Sequence, residues 1–81
     1  MDSRIFIAEA QELITDIEKF EDSYLDREEE ILQGKALQQR LDLAFQKLYN
    51  PTLPSASKLV ALATRVGFNI NQQVIDEVWS Y

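Results

Sequence analysis

The stretch Ser3-Arg4-Ile5-Phe6-Ile7-Ala8-Glu9-Ala10-Gln11-Glu12-Leu13-Ile14-Thr15-Asp16-Ile17-Glu18-Lys19-Phe20 decides the fold class. Within it Phe6, Ala10, Leu13, Ile14, Ile17 and Phe20 recur at three- and four-residue spacing, which draws one apolar stripe along an amphipathic helix. Asp2 or Ser3 can cap its start, because either side-chain oxygen accepts from the unpaired N–H groups of a first turn. Lys19 near the end suits the negative end of the helix dipole. The spacing predicts a first helix over about 3–20.

Reading outward, Asp22 and Ser23 offer the next cap, and Asp26, Glu28, Glu29 and Glu30 follow where a helix N-terminus favours acids. Ile31, Gly34, Leu37, Leu41, Ala44, Phe45 and Leu48 continue as a second stripe. Gly34 falls on that stripe at a cost of roughly 1 kcal/mol against alanine. Either one long helix uses it for a close crossing, or the chain breaks there into two. The reading here is one helix over about 24–49, ended by Asn50-Pro51, since proline disfavours a helical residue before it. Pro54 and Ser55 open a third helix over about 55–66, with Leu59, Leu62, Ala63 and Val66 inward and Gly67 as its stop. Asn71 caps a fourth over about 72–80, with Ile70 and Ile75 spaced as a hydrophobic staple.

The expected fold is therefore all-α: a single domain over 1–81, built as a small antiparallel bundle of two long and two short helices. The first pair forms a hairpin and the short pair closes its open side. With 81 residues there is room for one core, and 46% apolar residues with only 2 Gly and 2 Pro suit helices joined by short loops.

Composition narrows function. The chain has no Cys and no His, which removes thiolate chemistry, the usual acid–base group near neutral pH and the commonest zinc ligand. Carboxylates are the remaining catalytic candidates. Glu9 with Glu12, and Glu18 with Asp22, share faces on the polar side of a stripe, where water keeps both members ionised. No calcium loop, glycine-rich phosphate loop or other cofactor motif is present, so no catalytic, cofactor or metal residues are assigned and no enzyme activity is expected. The apolar runs are far shorter than the ~20 residues of a membrane helix, and no signal-peptide pattern opens the chain. A cytoplasmic location and no membrane insertion are expected.

The net charge of -6 is concentrated in the front half, where Glu28-Glu29-Glu30 is its densest run. That half repels phosphates and could steer a basic protein or peptide partner, although a solvated face that keeps the chain soluble is the simpler and favoured reading. Tyr49, Trp79 and Tyr81 are the candidate interface aromatics, because Trp and Tyr are enriched at binding hot spots. Trp79 has a second reading, as a plug at the end of the bundle. Phe6, Phe20, Tyr24, Phe45 and Phe68 read as core or staple residues. Leu62, Ala63, Val66, Gly67 and Phe68 are also spaced as in a DNA-binding helix-turn-helix. The helix that would enter the groove reads Asn71-Gln72-Gln73-Val74-Ile75-Asp76-Glu77, with no Lys or Arg to hold phosphates, so nucleic acid is not expected as a partner. A homodimer through Gly34 remains open.

Two families resemble parts of the chain. Residues 59–77 contain Ala63-x-x-x-Gly67-Phe68-x-Ile70 ahead of a short acidic helix, which resembles the nitrogen-fixation/nitrile-hydratase-like leader-peptide family. That resemblance implies recognition by an enzyme that modifies an attached peptide. The layout as a whole, with Glu12-Leu13-Ile14-Thr15-Asp16-Ile17, the Lys47-Leu48 helix end and Pro54-Ser55 before a Leu-rich helix, is similar to class IIa bacteriocin immunity proteins. It implies binding of a bacteriocin–receptor complex from the cytoplasmic side. The expectation from the residues is a non-enzymatic recognition module that binds a protein or peptide through a helical surface.

Overall fold

Each of the four apolar stripes forms a helix. The computed structural model describes residues 3–80, in which α1 is Ser3–Asp22, α2 Arg27–Lys47, α3 Pro54–Val66 and α4 Gln72–Trp79, with no strand among the described residues. Asp2, as a cap, and Tyr81, as an interface aromatic, lie outside the described residues.

The first loop differs from expectation. Helix α1 continues to Asp22, and the Ser23 hydroxyl donates to Lys19 O at its end. Asp22 and Ser23 therefore close α1 and do not open α2. Asp26 caps α2 instead, accepting from Glu29 N–H at 2.9 Å. Its three-residue spacing to Glu29 matches a capping box in sequence. At the far end α2 stops at Lys47, so Leu48 and Tyr49 belong to the connection. Helix α2 runs unbroken through Gly34.

Helix α3 begins on Pro54 in its first turn and stops at Gly67, which has φ +109°. The N–H groups of Gly67 and Phe68 both reach Ala63 O, at 3.0 and 2.9 Å. A six-to-one bond of this kind is the mark of a Schellman stop. Asn71 caps α4 by accepting from Gln73 N–H at 2.9 Å, with Ile70 and Ile75 both packed on the core.

Helix α1 is the central element. Its stripe of Phe6, Ala10, Leu13, Ile14 and Ile17 is buried, and it packs against both α2 and α3. The pairing with α2 is antiparallel: Phe6 meets Phe45 and Tyr49, Asp16 meets Arg40, and Phe20 meets Gly34. Helix α3 runs the same way as α1, since Arg65 near its end bonds Glu21 near the end of α1 at 2.8 Å. Helix α4 packs on α3 and reaches the opposite end, where the Tyr49 hydroxyl donates to Val74 O at 3.3 Å. Leu37, Leu41, Ala44, Ala56, Leu59, Val60, Leu62, Ala63 and Val78 complete the core, and no polar side chain is buried among the described residues.

The loop between α3 and α4 is held from α2. The Gln38 side-chain amide donates to Asn69 O at 2.8 Å and accepts from Asn69 N–H at 2.9 Å, pairing with that residue as a neighbouring strand would. A neutral hydrogen bond contributes about 1 kcal/mol net, and losing both leaves the loop backbone to water. Gln38→Ala is expected to lower stability by about 1 kcal/mol and to speed amide exchange at Asn69 before the rest of the chain. Unchanged exchange at Asn69 would show that the loop holds itself.

Candidate functional site

A largely apolar concave feature lies where the ends of α1 and α3 meet the first half of α2. It is an open groove of about 650 Å³ lined by Phe20, Arg27, Glu30, Ile31, Gly34, Lys35, Gln38 and Phe68. The Phe20 and Phe68 rings form its floor, tilted against each other with centroids 5.8 Å apart. Phe68 is brought there by the turn at Gly67, and Phe20 by the last turn of α1. Ile31 stands on the wall at 49% exposure, although its place on the second stripe suggested burial. It lies one turn before Gly34, where the stripe swings off the α1 contact and onto the groove.

Gly34 gives the groove its depth. A Cβ built there would sit 3.6 Å from Phe20 Cζ, an ordinary van der Waals distance, so an alanine fits the crossing. The expected close crossing therefore does not require glycine. What the missing side chain leaves is room on the groove wall beside Phe20.

The acidic run does not act as one cluster. Successive helical residues point about 100° apart. Of the three, only Glu30 borders the groove; Glu29 carries the Gln33 amide at 3.3 Å, and Glu28 is exposed. Elsewhere the acids of α1 are partly matched. Arg40 bonds Asp16 at 2.7 Å and lies 3.7 Å from Glu9, so Glu9, expected on a solvated face, takes part in holding α1 to α2. The hydrogen bond that the guanidinium donates to Asp16 raises its pKa above the ordinary value, assisted by the charges of Asp16, Glu9 and Glu12.

The aromatic candidates separate. Tyr49 is half-buried, with its ring 5.3 Å from Phe45 and 6.3 Å from Phe6, so it belongs largely to the core. Trp79 is 58% exposed and does not plug the bundle. Through Val74, α4 belongs to the Tyr49 end, away from the groove. Tyr24, expected as a core or staple residue, projects wholly into solvent from the α1–α2 loop. The sequence reading missed Leu32 and Leu43, which are 65% and 51% exposed on α2. Their signal was present as a second apolar periodicity, hidden beside the stronger one.

No group of acidic residues among the described ones is placed to hold a metal ion, and none of their helices is long and apolar enough to cross a membrane. No family model, curated protein or solved structure matches the chain, so the two resemblances rest on the residues quoted for them and the functional reading rests on this geometry.

Proposed function

We propose that the chain is a non-enzymatic recognition module that seats an apolar side chain of a protein or peptide partner in the groove over Phe20 and Phe68. The observation that carries the reading is Gly34: packing does not require it, the helix is weakened by it, and the groove is deepened by it. An apolar floor with a mixed polar rim is the usual anatomy of a binding patch. The rim mixes Arg27 and Lys35 with Glu30, so polar groups of either sign on the partner find a match around the apolar floor. The apolar core, with no carboxylate buried in it, supports binding over catalysis.

A nucleic-acid partner fits less well. Helix α4 has no Lys or Arg, and its Gln72 and Gln73 amides already donate to Asp76 and Glu77 at 2.9 and 3.3 Å.

The test is affinity capture from the protein's own cells with the wild type, Gly34→Leu and Trp79→Ala, each first checked for helical content. Gly34→Leu fills the groove and is expected to weaken capture about tenfold or more, as losses at binding hot spots do. Trp79→Ala is expected to retain the partner. If Gly34→Leu retains every partner, the groove reading is wrong; if only Trp79→Ala loses them, recognition belongs to α4.

A further inference from the structure

Helix α2 is apolar on two separate sides. Leu37, Leu41 and Ala44 face the core, while Leu32, Ala36 and Leu43 are exposed. At 3.6 residues per turn the exposed three fall within about 40° of arc, centred about 130° around the helix from the buried three. With Gln39 they repeat at intervals of four, three and four residues, the spacing of a coiled-coil seam. Nothing in the described chain covers this face.

We infer that this face is an interface with a second copy of the chain, the two α2 helices packing antiparallel about a twofold axis. The argument is charge complementarity. With Leu32 placed against the partner's Leu43, symmetry places Leu43 against the partner's Leu32 and Ala36 against the partner's Gln39. The residues flanking the seam then match: Lys35 lies beside the partner's Asp42 and Lys47 beside the partner's Asp26, each twice. Lys35 and Lys47 make no ion pair among the described residues, and both are exposed. A parallel pairing would set Lys35 beside the partner's Arg40, two like charges. The antiparallel arrangement also leaves both grooves open, because the α2 residues that line the groove, apart from Lys35 on its rim, lie on the far side of the helix from the seam. The Gly34 side of α2 faces Phe20 and takes no part.

One helix from each copy makes a seam smaller than the about 1,200 Å² at which stable complexes begin, so the dimer is weak and concentration-dependent. Sedimentation equilibrium over a rising concentration series is expected to show the 9.4 kDa chain approaching twice that mass. The variant carrying Leu32→Glu and Leu43→Glu should stay monomeric with unchanged helical content. Orientation follows from disulfide trapping, which is clean because the chain has no Cys. Ala36→Cys mixed with Gln39→Cys is expected to give mainly the mixed disulfide. A chain that is monomeric at every concentration overturns the inference, as does a dimer that survives both glutamates. Trapping of each variant chiefly with itself overturns the antiparallel pairing.

Discussion

Phe6→Ala is expected to leave the chain close to unfolded at ordinary temperatures. Phe6 is fully buried at the start of α1, and its ring lies 6.3 Å from both Phe45 and Tyr49. Tyr49 in turn holds α4 through Val74 O. One ring thus joins α1, the end of α2 and, through Tyr49, α4. Truncating a buried Phe to Ala costs about 3–5 kcal/mol, from lost apolar transfer and from the cavity left behind. A chain of 81 residues has about 4–12 kcal/mol in total at the usual stability per residue. The melting temperature should fall by about 12–40 °C, at about 4–8 °C per kcal/mol for a domain of this size. Thermal melts followed by circular dichroism measure it. Phe6→Leu keeps most of the apolar volume and should cost clearly less. A loss below about 1 kcal/mol for alanine would mean the aromatic cluster is not where the helices are joined.

The two glycines should respond to alanine with opposite signs. Gly34 lies mid-helix, and the added methyl meets Phe20 Cζ at 3.6 Å without a clash. Gly34→Ala is expected to raise stability by about 1 kcal/mol, through higher helix propensity and a less disordered unfolded chain. Gly67 has open space around the Cβ position, yet its φ of +109° is a conformation that side chains resist. Gly67→Ala is expected to lower stability by about 1–2 kcal/mol, because a left-handed alanine at the stop of α3 is strained. Urea unfolding of both variants reads the difference directly. Equal shifts in the same direction would show that backbone conformation does not distinguish the two positions. Alanine is small enough to leave part of the groove over Phe20 open, so Gly34→Ala should weaken partner capture less than Gly34→Leu.

The helices were legible because their signals are local. The stripe from Phe6 to Phe20, the Pro54 start, the Gly67 stop and the Asn71 cap each depend on residues within a turn or two, and each stands where the spacing predicts. The first loop was harder to place, because three possible caps occur within five residues. Asp22 and Ser23 have the right chemistry, but the apolar stripe of α1 is stabilised by packing as far as Phe20, and the helix carries through them to Asp22. That leaves Asp26 to start the next one.

The candidate site was legible only in part. Gly34 drew attention as a residue out of place in a helix, but its consequence depends on Phe20 and Phe68, which the chain brings beside it from two other elements. The acidic run was visible as a run; that its members point apart follows from helix geometry, and that Glu30 alone reaches the groove follows from where α1 and α3 end. Gln38 gave no signal at all, because its partner Asn69 is 31 residues away and is recognised through its backbone.

By itself the sequence determined that this chain makes four helices around one apolar core, and that Cys and His chemistry is absent. The stripe read from the sequence correctly put Leu37, Leu41 and Ala44 inward, but only the tertiary structure decided that the other apolar side of α2 is left uncovered. Leu37 and Leu41 face α1 while Leu32 and Leu43 remain in water. Both sets have the period of a helix, and period fixes the angle between residues but not the direction from which a neighbour approaches. The short loop after α1 and the anchoring of α2 by Phe45 and Arg40 set that direction. Once it is set, the leftover stripe and the groove become the surfaces available for binding.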